Sequence, residues 1–225
     1  MVTSNTNPKT KRDSYNLRLL DGLSSANHFG LPILKGYDPE HTSTPIPFHE
    51  ARTLWKKSKK LNGYFIHFYT EDYRFECIRK YPERYLPMLK SADYVIAPDF
   101  STYRNFPFPV LLKNLYDNQV LAAYFEKNGI KVVPNVVWSS PMFYDVTFSG
   151  QPSNCTIFVN SKSLSTKDKK GLGCWLHGYK EAVNRLSPKK IFRIGKIVPG
   201  EEEIFSNPIR LEIENPYVKR MSHGR

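Results

Sequence analysis

Cysteine is scarce in this sequence. Cys77, Cys155 and Cys174 are the only three, too far apart for a disulfide framework or a CxxC metal or redox pair, and they read as small buried hydrophobes. No stretch approaches the roughly 18 apolar residues that a spanning helix needs. The opening MVTSNTNPKTKRDSYN has no apolar core like a signal peptide's. The expectation is a reduced, cytoplasmic protein without a membrane partner. Glycine is outnumbered by proline, 12 to 17, which favours irregular connections over a smooth helical bundle. GxSxG, HExxH, GxGxxG and zinc-ligand spacings are all missing. Their absence removes an easy name without excluding an enzyme.

Acidic residues are also in short supply, 21 against 33 Lys and Arg, for a net charge of +12. Residues 1–60 carry ten basic and five acidic side chains, and residues 165–200 carry nine and two. Residues 61–128 carry eight of each. Basic flanks around a neutral middle favour a polyanionic partner through phosphate contacts and counterion release. A generic soluble basic surface is the alternative.

What the chain does have is apolar residues, 40% of the total, with 14% aromatic, enough to build a core. Five short runs rich in β-branched and aromatic residues read as strands: 61–69, 92–98, 130–138, 155–161 and 189–195. Helical segments are expected at 49–60, 82–90, 108–127 and 173–187, with Asn128-Gly129 as a left-handed stop. Alternating runs of this kind imply a parallel α/β sheet of about five to seven strands. Further strands are expected at 29–35 and 210–214. The reading is an open or partial TIM-like barrel with a basic N-terminal extension. It divides into an arm (1–44, its first dozen residues mobile), an α/β domain (45–200) and a C-terminal extension packing on it (201–225).

In parallel α/β sheets, ligands gather at the carboxyl ends of the strands, where the loops of one face emerge. The first run is followed by Glu71, Asp72 and Arg74, with His67 inside it. Asp99, Ser101, Tyr103 and Arg104 follow the second. Asn135 and Trp138 close the third, and Asn160, Ser161 and Ser163 end the fourth. If the first two runs pair, Asp72 and Asp99 meet at the rim as candidate catalytic carboxylates, assisted by Glu71 or His67, or as ligands of Mg²⁺. Equally, an Asp after a strand caps the next turn, Glu71 pairs with Arg74, and His67 is a satisfied core residue. Trp138 is a stacking platform or a lid on the core.

The segment 165–173, STKDKKGLG, offers an anion site in which Lys169, Lys170 and Gly171 precede a helix N-terminus. It is not a Walker loop, because the lysine of GCWLHGYK (173–180) falls one place late.

YFIHFYTEDYRFECI, ADYVIAPDFSTYRNFP, NQVLAAYFEKNGIKVVPNVVWSS and KEAVNRLSPKKIFRIG together resemble a family of bacteria, phages and mobile elements known as domain of unknown function four-four-one-seven. The resemblance runs over about residues 45–200. His67, Asp72, Tyr73, Arg74, Phe75 and Glu76 match its first motif, with Glu71 where Asp is usual. Pro98, Asp99, Phe100, Ser101 and Tyr103 match the second, and Gly129, Ile130, Pro134, Val136 and Trp138 the third. Ile194-Gly195 replaces a final Tyr-Gly. The resemblance implies a phage or mobile-element setting in a bacterial host cell, and no activity.

Three functions fit. The first is association with nucleic acid. The second is a phosphodiesterase- or nuclease-like site, a TIM-like hydrolase using paired carboxylates. The third is a non-catalytic binder of a small phosphorylated ligand. The first two are compatible, since a nuclease places a neutral acidic centre between basic surfaces.

Overall fold

The computed structural model describes residues 13, 15–25, 28–165 and 167–213. The mobility expected of the first dozen residues lies outside them. The strands are β1 (Thr44–Pro47), β2 (Leu61–His67), β3 (Ala92–Ile96), β4 (Val132–Val133), β5 (Thr156–Asn160), β6 (Lys190–Ile194) and β7 (Ile209–Leu211). Between them run α1 (Phe48–Ser58), α2 (Cys77–Lys80), α3 (Leu86–Lys90), α4 (Phe108–Lys127), α5 (Tyr144–Phe148), α6 (Lys169–Leu186) and α7 (Glu201–Ile204).

Every strand pairing is parallel, in two sheets ordered β1-β2-β3-β4 and β5-β6-β7. The expected single sheet is therefore divided, and it does not close into a barrel. The division falls at Pro134, which has no N–H to give a ladder and ends β4 after two residues of the run expected at 130–138. One parallel bridge still crosses the gap. Phe158 donates its N–H to the Pro134 carbonyl at 2.8 Å and accepts from Val136 at 3.0 Å.

Alternation along the strands sorts the side chains to two faces. Phe65, Tyr94, Ile96, Val133, Phe158, Phe192 and Ile194, drawn from both sheets, form one buried cluster. On the opposite faces, Ile66, Val95 and Val132 join the core beneath α1, α3 and α4. Ile157, Val159 and Ile191 pack on Trp175, Tyr179 and Ala182 of α6. Each fully buried Phe of this kind contributes roughly 1.5–3 kcal/mol.

Helix α4 occupies the expected 108–127, and Gly129 (φ 78°) supplies the left-handed turn into β4. Three other expectations need correction. Residues 29–35 form no strand, because Gly30 and Gly36 adopt left-handed backbone and Pro32 makes only an isolated bridge with Ser25; the added N-terminal strand is β1. Residues 82–90 divide into a 3₁₀ turn, Pro82–Tyr85, and α3, with Pro87 in the first turn of α3. Helix α6 begins at Lys169, four residues before the expected start, so Gly171 and Gly173 are helical instead of loop residues. The C-terminal run does form β7 against β6; its last residue, Glu214, lies outside the described chain.

Candidate functional site

Because all strands run the same way, the loops after β1 to β6 emerge at one end. Asp99 follows β3 there. Asn135 donates to its Oδ1 at 2.8 Å, and Asn160, the last residue of β5, approaches Oδ2 at 3.4 Å. Asn135 is itself fixed by the Tyr69 hydroxyl, which donates to its Oδ1 at 2.9 Å. Burial raises the Asp99 carboxyl to about 6, Asn135 opposes the rise, and the nearby Asp72 charge adds to it. A carboxyl poised near neutrality suits proton exchange.

Asp72 arrives from the loop after β2. Its carboxylate accepts the Ser101 hydroxyl at 2.9 Å and the Ser101 N–H at 3.2 and 3.3 Å. It therefore acts as the expected turn cap, and its charge also reaches Asp99. The β3 loop is gripped from behind by α4. Asn118 accepts the Phe100 N–H at 2.7 Å and donates to the Phe100 carbonyl at 3.1 Å. One turn earlier, Asn114 donates to the Ser101 carbonyl at 2.6 Å. Arg79 donates to Asn114 at 2.6 Å, pairs with the buried Asp117 at 2.9 Å, and lies 3.5 Å over the Phe100 ring. The Asp99 loop is thus held by buried amides on a helix, a rigid support for a carboxylate that must keep its place.

His67 ends β2 and is 1% exposed. Its Nδ1 accepts the Tyr69 N–H at 3.3 Å, so Nε2 carries the proton, and Nε2 has no hydrogen-bond partner within the protein. Burial, then the charges of Lys162 and His49, lower its pKa to about 3. It is a neutral donor at physiological pH. Lys162, just past β5, is partly buried; burial lowers its pKa, while the charges of Glu71 and Asp99 raise it. Gly195 (φ 97°) permits that position, since a Cβ there would lie 2.6 Å from the Lys162 nitrogen and 2.8 Å from the Ser161 carbonyl carbon.

Hydrogen bonds thus join Asp72 to Ser101 and Asp99 to Asn135, while His67 connects to them through Tyr69, whose N–H it accepts and whose hydroxyl holds Asn135. The structure adds Asn160, which the sequence places at a strand end without giving it a role, and Tyr69 and Lys162, which the sequence-based candidates omit. Asn160 is legible as a residue that ends a strand, and Lys162 stands two places beyond it. Nothing in the sequence signals Tyr69, because its role depends on which way a strand residue points.

The other candidates have structural partners. Glu71 pairs with Arg74 at 2.6 Å. Trp138 packs on Trp175 and Tyr179 at ring distances of 5.6 and 6.4 Å. Ser161 is buried and donates to the Lys196 carbonyl at 2.6 Å. Arg104 pairs with Asp168 at 3.1 Å. Asp168 also caps α6 by accepting the Gly171 N–H at 2.8 Å, so a carboxylate already holds a helix donor intended for an anion beside Lys169 and Lys170. Tyr103 is exposed.

Among the described residues no three His, Cys, Asp or Glu side chains gather to hold a metal ion. No helix among them is long and apolar enough to cross a membrane.

Fold and site together define a parallel α/β protein with a polar, carboxylate-centred rim. The chain belongs to the family described as a domain of unknown function, DUF4417, which matches residues 23–211, a wider span than the sequence motifs alone mark out. It is similar to the Gene 1 protein of Mycobacterium phage L5, 32% identical over 190 residues covering 83% of this chain and 79% of that protein. The Gene 1 protein of Mycobacterium phage D29 is 28% identical over 190 residues, 83% of this chain and 67% of that one. No solved structure matches.

Proposed function

We propose that this protein associates with nucleic acid and works on a phosphate-bearing substrate at the carboxyl rim of its strands. The observation that carries the reading is Asp99, seated beside Asn135 and Asp72 with its carboxyl raised to about 6. Ionised above that pH, Asp99 accepts a proton from a water whose oxygen bonds to phosphorus as the P–O bond to the leaving oxygen breaks, and that oxygen takes a proton from solvent. Lys162 meets the negative charge of the phosphate, and the neutral His67 offers Nε2–H as a donor. In this reading Asp99 is the proton acceptor, while Asn135 and Tyr69 keep its carboxylate in place. Mg²⁺ at this rim would rest on Asp72 and Asp99, with water and substrate phosphate completing its shell. The sequential parallel order, and the inner cluster shared by both sheets, favour a partial barrel as the frame.

The test is cleavage of end-labelled DNA and RNA with and without Mg²⁺, beside binding measured over a salt series. Wild-type protein is expected to bind with an affinity that falls with salt and to cleave. Asp99→Asn should keep the fold and the binding while losing cleavage. Absence of binding at low salt overturns the nucleic-acid reading. Undiminished cleavage by Asp99→Asn overturns the catalytic one.

A further inference from the structure

Three rim segments are tied into one surface. The Asp72–Ser101 hydrogen bonds join the loop after β2 to the loop after β3, and the Arg104–Asp168 pair joins the latter to the start of α6. That surface carries both aromatic and basic side chains. Tyr73 is 71% exposed and Tyr103 48%, while Lys167, Lys169 and Lys170 are exposed beyond Arg104. Tyrosines so open to solvent add nothing to the core. Tyr73 has the Arg74 guanidinium over its ring at 5.3 Å and Tyr103 meets Phe106 edge to face; the ring surface still open to solvent is what an unpaired base stacks on, and lysines alongside would follow the phosphates between bases. A duplex hides its base faces, so it would use the lysines alone.

A second basic cluster is placed differently. Lys56 and Lys57 lie in the last turn of α1, and Lys59 and Lys60 lead into the start of β2, which is the pole opposite the rim. Its charge cannot serve a ligand seated on Asp99.

We propose that the rim surface formed by Tyr73, Tyr103, Arg104 and the lysines at 167, 169 and 170 binds single-stranded nucleic acid and delivers it to Asp99. This rests on the function proposed above and names its substrate class. The phosphates are held by side chains, since Asp168 already caps α6.

The experiment measures fluorescence anisotropy of a labelled oligothymidine and of a labelled duplex of the same length, with unlabelled polyglutamate as competitor, across a salt series. Expected are single-strand binding at least tenfold tighter than duplex, and a roughly tenfold loss for Tyr73→Ala and again for Tyr103→Ala. Lys169→Ala/Lys170→Ala should weaken binding and flatten the salt slope by roughly 0.7 for each phosphate no longer neutralised. Lys56→Ala/Lys57→Ala should change neither. Equal affinity for single strand and duplex, unaffected by the tyrosines, overturns this proposal and leaves nucleic-acid association standing. Binding abolished in Lys56→Ala/Lys57→Ala instead overturns the proposal by moving the surface to the other pole. Polyglutamate competing as well as the oligonucleotide shows a general polyanion surface and overturns the proposal. Failure to bind either nucleic acid overturns both readings.

Discussion

Asp72 takes both the N–H and the hydroxyl of Ser101, 29 residues further along the chain. That contact fastens the first acidic loop to the second and brings the Asp72 charge to bear on Asp99. Ser101→Ala removes the hydroxyl but leaves the backbone donor. It is expected to cost about 1.5–3 kcal/mol, as for a hydrogen bond to a charged group. In a urea-unfolding cycle with Asp72→Asn, the two losses should fail to add by at least 0.5 kcal/mol, roughly the lower bound for groups in contact.

The Asp99 loop depends on Asn118 for two backbone bonds. Asn118→Ala leaves a buried N–H and a buried carbonyl unmatched, at about 1–3 kcal/mol for each group. Chemical denaturation should show a loss on the order of 2–6 kcal/mol, large for a residue that touches nothing outside the protein.

Two buried groups give opposite pH dependence. Asp99 has a folded pKa of about 6 against roughly 3.9 unfolded. The folded state therefore binds the extra proton, and its contribution is fully present below pH ~4 and lost as pH rises through ~6. His67 is held near 3 against roughly 6.5 unfolded. Its neutral form favours folding above ~6.5, and stability is lost as pH falls toward ~3. In the wild type the two slopes oppose one another over roughly pH 4–6. Asp99→Asn should unmask a stability that climbs with pH in that window, and His67→Gln one that declines. Thermal melts at half-unit pH steps measure both slopes.

Gly195 sets the position of Lys162. A methyl group there meets backbone at 2.6–2.8 Å, on a φ of 97° that only glycine adopts freely. Gly195→Ala is expected to cost about 1–3 kcal/mol. It should also shift the amide resonances of Ser161 and Lys162 ahead of residues elsewhere in β5.

Much of this is legible in the amino-acid sequence. The strand cores, α4 and the Asn-Gly junction follow from periodicity and turn chemistry, and the rule that loops follow strand carboxyl ends places Asp72 and Asp99 on one face. Pro134 carries the signal that β4 ends early, although its apolar neighbours hide it. The early start of α6 is obscured because Gly171 and Gly173 look like loop residues until the Asp168 cap and the buried Gly171 position are seen. Least visible are the buried polar residues of α4. Asn114, Asp117, Asn118 and Gln119 belong to no apolar stripe of the sequence, yet they are buried and hold the loops of the site and of the N-terminal region. Gln119, for example, donates to the carbonyls of Pro32 and Ser149, both at 2.7 Å. Such contacts span 13 to 87 residues, beyond any local pattern.

The most direct test is a carbon-detected NMR titration of the Asp99 carboxyl in wild type and in Asp72→Asn. The expected result is a midpoint near 6 that moves downward once the neighbouring charge is gone. A midpoint at the ordinary carboxylate value, unmoved by Asp72→Asn, would show that the two acids do not share a site.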